Sequence, residues 1–201
     1  MMSMTHLTIG ISAALIISNP HSVGEFLPPL IGGALGGIIS DVDARSNPHC
    51  KDALYGRLVA IGIALIALVV DWFTKSGIIQ SIISPERRIM AIIGAIVFAA
   101  LVVIGAFQEH RGFTHSLLYA VLTSAVMLLI HVPIGISFAI GMLTHLLLDC
   151  LNKKPIRLFF PAAKGVCFNL CYADKAANKV FLILGILLIA FSFARPFIWT
   201  K

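Results

Sequence analysis

Twenty consecutive positions, Ile89–Gln108, carry no charged side chain, and a helix of about 20 apolar residues is what crosses the roughly 30 Å hydrocarbon core of a bilayer. Comparable apolar runs recur at Leu7–Ser18, Gly24–Ser40, Leu58–Phe73, Ser116–His131, Pro133–Leu151 and Lys179–Trp199. Hydrophobic residues make up 59% of the 201 and charged ones only 12%, with a mean hydropathy of +0.97. That is more apolar surface than one soluble core of this size can hide. Backbone inside lipid must satisfy its own hydrogen bonds. The expected fold is therefore all-α, a polytopic transmembrane helical bundle of about six to seven segments, forming one membrane-embedded domain over residues 1–201. No repeat or low-complexity tract divides it. The Met1–Thr5 start has no Lys or Arg, so the first run is expected to be retained rather than cleaved as a secretory signal.

The first two runs are short. Asn19-Pro20 breaks one, while Pro28-Pro29 and the pairs Gly32-Gly33 and Gly36-Gly37 loosen the other, which suits half-helices or close helix packing. With the chain threaded back and forth, His6, Asp41, Asp43, His110, His115, His145 and Asp149 all fall on one face. That face also collects Arg45, Lys51, Arg57, Arg111, Lys153, Lys154, Arg157, Lys164, Lys175 and Lys179, against Lys75, Arg87, Arg88, Arg195 and Lys201 on the other. The positive-inside bias makes the richer face cytoplasmic, so the net charge of +6 reads as topology and no nucleic-acid partner is expected. Cys50, Cys150, Cys167 and Cys171 lie on or near this face, where the cytosol keeps thiols reduced. Cys167-x3-Cys171 lacks zinc-knuckle spacing and reads as packing.

Imidazole and carboxylate beside a bilayer point to function. His145 and Asp149 stand at i and i+4, on one helical face, and nitrogen plus carboxylate oxygen suits zinc, manganese or iron. A buried, mutually hydrogen-bonded pair would have the same spacing. Asp41-x-Asp43 follows the glycine-rich helix and places two carboxylates in a short turn. Thr-His occurs three times, at Thr5-His6, Thr114-His115 and Thr144-His145. At a helix start such a threonine is expected to cap the helix and fix the following imidazole, an explanation that does not reach Thr144. His21 and His131 lie on the opposite face and read as structural or interfacial.

The run His110-Arg111-Gly112-Phe113-Thr114-His115-Ser116 resembles the signature of the predicted metal-dependent hydrolases of the bacterial inner membrane, the YdjM-like family. The resemblance extends through Thr5-His6, Ser40-Asp41-Val42-Asp43, Gly141-x3-His145-x3-Asp149 and Leu158-Phe159-Phe160-Pro161, most of the chain. Ser40 and Ala44 stand where members often carry Pro and His, and His49 is a substitute for the latter; Asn152-Lys153-Lys154 replaces a glycine-containing turn. The order of an N-terminal His, an Asp, a His and HxxxD is also similar to zinc-dependent phospholipase C and P1-type nucleases, the second His being His49, His110 or His115. Their downstream HxxxE is absent, so one or two ions are expected rather than three.

These readings imply a divalent metal, zinc first and manganese or iron next, held by ligands from His6, Asp41, His110, His115, His145 and Asp149. An ion with one open position acidifies water for attack on an ester or phosphoester. Arg111 could clamp two oxygens of a phosphate or carboxylate, and Asp43 or Glu109 could act as general base or fix a ligand imidazole. The basic stretch Lys153–Lys179, interleaved with Phe159, Phe160 and Phe168, suits a headgroup region, making membrane lipids the expected partner and a lipid-linked phosphoester a candidate substrate. Two other readings stand beside this one. A proton- or ion-coupled transporter would place its polar groups near the midplane of broken helices, and a non-catalytic membrane protein would hold a structural metal.

Overall fold

The computed structural model describes residues 2–44, 50–172 and 175–199. Met1, Arg45, His49, Lys201 and the side chain of Cys50 lie outside the described residues. Among the described residues eight α-helices follow in order: α1 (Ser3–Ser18), α2 (Val23–Ile38), α3 (Cys50–Thr74), α4 (Ile78–Ile83), α5 (Arg88–Ala106), α6 (Leu117–Ile130), α7 (Val132–Leu151) and α8 (Ala176–Trp199). Turns of 3-10 helix occupy Ile39–Asp43 and Phe113–His115. Among the described residues there is no strand, only isolated bridges pairing Asn152 with Cys171 and Ile156 with Val166.

Seven helices coincide with the seven apolar runs, and the all-helical bundle expected from them is what forms. Five are long and apolar enough to cross a membrane: Val23–Asp43, Lys51–Thr74, Arg88–Ala106, Val132–Leu151 and Ala176–Ile198. Helix α3 begins earlier than its apolar run, because Lys51, Asp52 and Arg57 are compatible with helix even where they are not apolar; Arg57 Nε donates to the Ala53 carbonyl one turn back, at 3.1 Å. Helix α4 lies between two runs and has no periodicity of its own to announce it. The buried Asp71 carboxylate receives the backbone N–H groups of Ile78 and Ile79, both at 2.9 Å, satisfying two of the donors a helix start leaves open.

Helix α1 ends at Asn19, whose left-handed φ of 49° suits one of the few side chains that tolerate it, and Pro20 prevents continuation. Helices α6 and α7 meet at His131, which is extended and whose side chain accepts from Ile134 N at 3.4 Å as the cap of α7. His131 is thus structural, as expected.

The bundle buries polar side chains among an apolar core that includes Leu15, Tyr119, Phe138 and Met142, and is apolar outside. Ser3, Thr5, Thr8, Ser12, Ser40, Thr114, Thr123 and Ser137 are buried with the site residues, while Leu58, Ile66, Phe73, Ile89, Ile96, Val103, Val180 and Leu187 are exposed, as lipid-facing surfaces require. Helix α1, at 16 residues about 24 Å long by the helical rise, is enclosed by α2, α3, α7 and α8. Close packing comes from the glycines of α2, which sits between α1 and α7. A Cβ on Gly33 would lie 2.8 Å from the Gly10 carbonyl of α1, and one on Gly37 would lie 2.7 Å from the His6 carbonyl. Gly32 and Gly36 face the α7 backbone at Ile134 and Phe138 more closely still. Main chain touches main chain on both sides, which fixes the depth of α1 and α7 relative to each other.

Candidate metal centre

The consequence of that fixed depth is a cluster built from four places in the chain. His6 comes from the first turns of α1, Asp41 and Asp43 from the turn ending α2, His115 from the turn before α6, and His145 and Asp149 from the last two turns of α7. All six are buried. Asp149 is the hub: His6 Nε2 lies 3.3 Å from Oδ1, and His115 Nε2 and His145 Nε2 lie 3.4 and 3.9 Å from Oδ2. Asp41 Oδ1 adds a second carboxylate 3.7 Å from His115 Nε2 and 3.9 Å from His145 Nε2.

Hydrogen bonding orients the imidazoles. His145 Nδ1 faces the Gly37 carbonyl at 2.8 Å; a carbonyl only accepts, so Nδ1 carries the hydrogen and the Nε2 lone pair turns toward the carboxylates. His6 stacks on His145 with centroids 3.9 Å apart, and its buried Nδ1 has no partner among the described residues. His6 turns its other nitrogen, Nε2, to Asp149, so a ligand role falls to Nε2. Three groups bring one donor atom per residue within 4.8 Å of one another: His6, His145 and Asp149; Asp41, His115 and His145; and Asp43, His110 and His115. The donors fit a divalent ion of the zinc, manganese or iron type.

Asp43 organises the turn beside the cluster. It receives His110 Nδ1 at 2.8 Å, the Arg111 backbone N–H at 3.1 Å and Thr114 Oγ1 at 2.5 Å. The Arg111 backbone is left-handed, at φ 67°, a conformation an L-residue keeps only where its surroundings hold it. The Asp43 contact supplies that hold and points the guanidinium inward, with Nη2 3.8 Å from Asp149 Oδ1 and Nη1 donating to the Lys154 carbonyl at 2.7 Å.

Of the sequence candidates, His6, Asp41, His115, His145 and Asp149 converge. His110 sits at the rim, its side chain 30% exposed, and Arg111 partly fills the gap between rim and hub. Glu109 points away, 81% exposed and 3.4 Å from Arg157. The threonines do not cap their helices. Thr5 Oγ1 donates to Asn178 Oδ1 of α8 at 2.8 Å, Thr114 bridges Asp43 and His115 Nδ1, and Thr144 bonds back to the Gly141 carbonyl of its own helix. Two of the three therefore tether the site through tertiary partners that spacing alone does not reveal. Sequence reasoning also missed Asn178, Ser3 and Asp52: Ser3 Oγ donates to Asp41 Oδ2 at 3.1 Å while its N–H donates to Asp52. Cys150, Cys167 and Cys171 are free thiols, and none joins a candidate metal group among the described residues.

The sequence profile of the YdjM inner membrane protein family matches residues 1–200. The chain belongs to that family. No curated protein and no solved structure was found that matches, so in this YdjM family member the buried His and Asp groups rest on the geometry above.

The electrostatics of the cluster give its first test. Burial alone would lower the basicity of His115, but hydrogen bonds to Asp149, Asp41 and Asp43 outweigh it and raise the imidazole well above its ordinary value. A ligand imidazole must be neutral, so below that raised value ion uptake has to expel a proton. Apparent affinity is expected to climb with pH, by up to about tenfold per unit across the neutral range, with proton release. Titrating zinc or manganese into chelator-stripped protein from about pH 6 to pH 8 in weak buffer reads both. Flat affinity without proton release would remove His115 from the ligand set.

Proposed function

We propose that this protein is a metal-dependent hydrolase of the bacterial inner membrane that cleaves an ester or phosphoester at the cytoplasmic edge of the bilayer. The observation that carries the reading is the surrounding of one buried carboxylate, Asp149, by three imidazole nitrogens at 3.3, 3.4 and 3.9 Å, with a guanidinium 3.8 Å away. Arg111 adds a positive charge beside the ligands, its side chain 16% exposed. The excess of Lys and Arg on the site's side of the threading supports the cytoplasmic orientation.

His6, His145 and Asp149, with Asp41 and His115, would hold one or two divalent ions, zinc first. When bound, such an ion supplies Lewis acidity and acidifies water at neutral pH. The chain supplies the rest. Arg111, with Nη1 on the Lys154 carbonyl and Nη2 toward Asp149, has its remaining N–H groups for an oxygen of a phosphate or carboxylate and takes up charge as it develops. His110, held through Nδ1 by Asp43, keeps Nε2 at the rim to carry a proton in or out. Asp43 is the positioning residue of that pair, a role Glu109 is too remote to share. Burial of the hub keeps bulk water away and strengthens each of these interactions.

The test is turnover of a generic phosphodiester and of phospholipids by detergent-purified protein. Activity is expected to vanish with chelator and return with zinc or manganese. Arg111→Ala is expected to lower kcat by about 100-fold or more, the usual scale for losing one charge-stabilising donor, with metal content unchanged. Turnover indifferent to chelation would overturn the hydrolase, and full turnover in Arg111→Ala would remove the clamp.

A further inference from the structure

A cavity of about 760 Å³ opens at the end of the bundle away from the metal centre, between the end of α1, the first turns of α2 and α7, and the turn at Ser76 and Gly77. Its His131 edge stands roughly 20 Å along α7 from His145 by the helical rise. The volume falls in the range of about 300–1,000 Å³ that small-molecule sites occupy. Ile17, Ile78, Ile136 and Ile140 supply apolar walls, and Ile17 and Ile136 are exposed, so the mouth is continuous with the apolar outside of the bundle.

Among the described residues that line it, only Glu25 carries a full charge. His131 Nδ1 accepts from Ile134 N at 3.4 Å; an imidazolium accepts nothing, so this ring is neutral. Ser22-x-x-Glu25 has the spacing of a capping box, and the Glu25 carboxylate accepts the His21 N–H and Ser22 Oγ, each at 2.9 Å. Those contacts do not balance its charge. The start of α2 contributes about half a positive unit against a full negative one, and among the described residues no cationic side chain pairs with Glu25. Lys75, beside the cavity turn, lies over the Trp72 ring instead, at 4.4 Å. Pro28 and Pro29, also in the wall, have no N–H, so the carbonyls of Gly24 and Glu25 lose their helical donors and add partial negative charge to the same turn.

We infer that this cavity binds a lipophilic organic cation, a protonated amine or quaternary ammonium on an apolar body, with the positive group at Glu25 and the body against Ile78, Ile136 and Ile140. The site uses none of the metal ligands and stands whether or not the centre is hydrolytic.

The experiment is fluorescence polarisation of ethidium, an aromatic cation, with the full chain in uncharged maltoside detergent, read against empty micelles. Saturable binding that tetraphenylphosphonium displaces is expected, and the anion fluorescein is expected not to bind. Glu25→Gln is expected to weaken ethidium binding about fivefold, the scale of one exposed ion pair. Glutamine serves the capping spacing as glutamate does, so fold and metal content are expected to hold. Ile140→Trp, which fills the cavity and leaves Glu25 in place, is expected to weaken binding as well. Phosphatidylethanolamine and phosphatidylcholine added to the micelles separate the sources: displacement of the dye by either supports a bilayer lipid as the cation, and displacement by neither supports a free one. Absence of saturable binding, equal uptake of fluorescein, or unchanged affinity in folded Glu25→Gln protein would overturn the cation site.

Discussion

Asp149→Asn protein is expected to leave purification with less than roughly a tenth of the parent's divalent metal, since even changes to groups outside the ligand shell cost about 10- to 100-fold in affinity. The amide keeps the shape of the side chain but removes the charge that faces His6, His115 and His145. The loss should exceed that of any other single substitution in the cluster, because among the described residues Asp149 is within 4 Å of all three imidazoles and Asp41 of two. His145→Ala and His115→Ala are expected to come next, since each residue appears in two of the three donor groups. Elemental analysis of matched detergent samples measures the content, and helical circular dichroism shows whether the bundle remains. Folded Asp149→Asn and His145→Ala proteins with full metal content would dismantle the site assignment.

Gly36→Ala should damage the same centre without touching it. Alanine ordinarily favours helix over glycine by about 1 kcal/mol, so an isolated helix would gain from this change. Here the new Cβ would overlap the Phe138 carbonyl of α7 and lie 3.0 Å from Met142 N, and neither obstacle is the movable end of a side chain. The helices must separate, at a cost of about 1–3 kcal/mol or more for overpacking. That separation also strains the bond between Gly37 O and His145 Nδ1. Lower thermal stability and reduced metal retention are expected together. Gly62→Ala is the control, because nothing lies within 4 Å of its added Cβ and the helix preference should act alone. Similar stability for the two variants would refute close α2–α7 packing as the source of the site's geometry.

The convergence of His6, Asp41, His115, His145 and Asp149 was legible because alternating helices sort residues by which end of an apolar run they occupy, and that sorting needs no knowledge of packing. The same reasoning could not separate Glu109 from Asp43. Both sit at run ends, yet a buried turn holds one and the other faces outward to Arg157. Threading assigns a side of the membrane but not a direction around the bundle axis. Thr5 and Thr114 were noticed through repetition, but their true partners, Asn178 and Asp43, are distant in sequence. The glycines of α2 read as packing, which they are; their further role in setting the height of His145 emerges only once the carbonyl of Gly37 is seen against its ring. Helix α4 was invisible because six residues hold too little pattern, and a carboxylate from another helix caps it.

The group that orients His145 is a main-chain carbonyl, whereas outer-shell partners at metal sites are often side chains. A side chain can be exchanged by one codon change, and its contribution can drift away while the fold survives. The Gly37 oxygen is present whatever residue occupies the position, so selection can lose this contact only by moving a helix. Over long divergence this part of the centre should therefore resist gradual erosion and fail abruptly, together with the packing of α2 on α7.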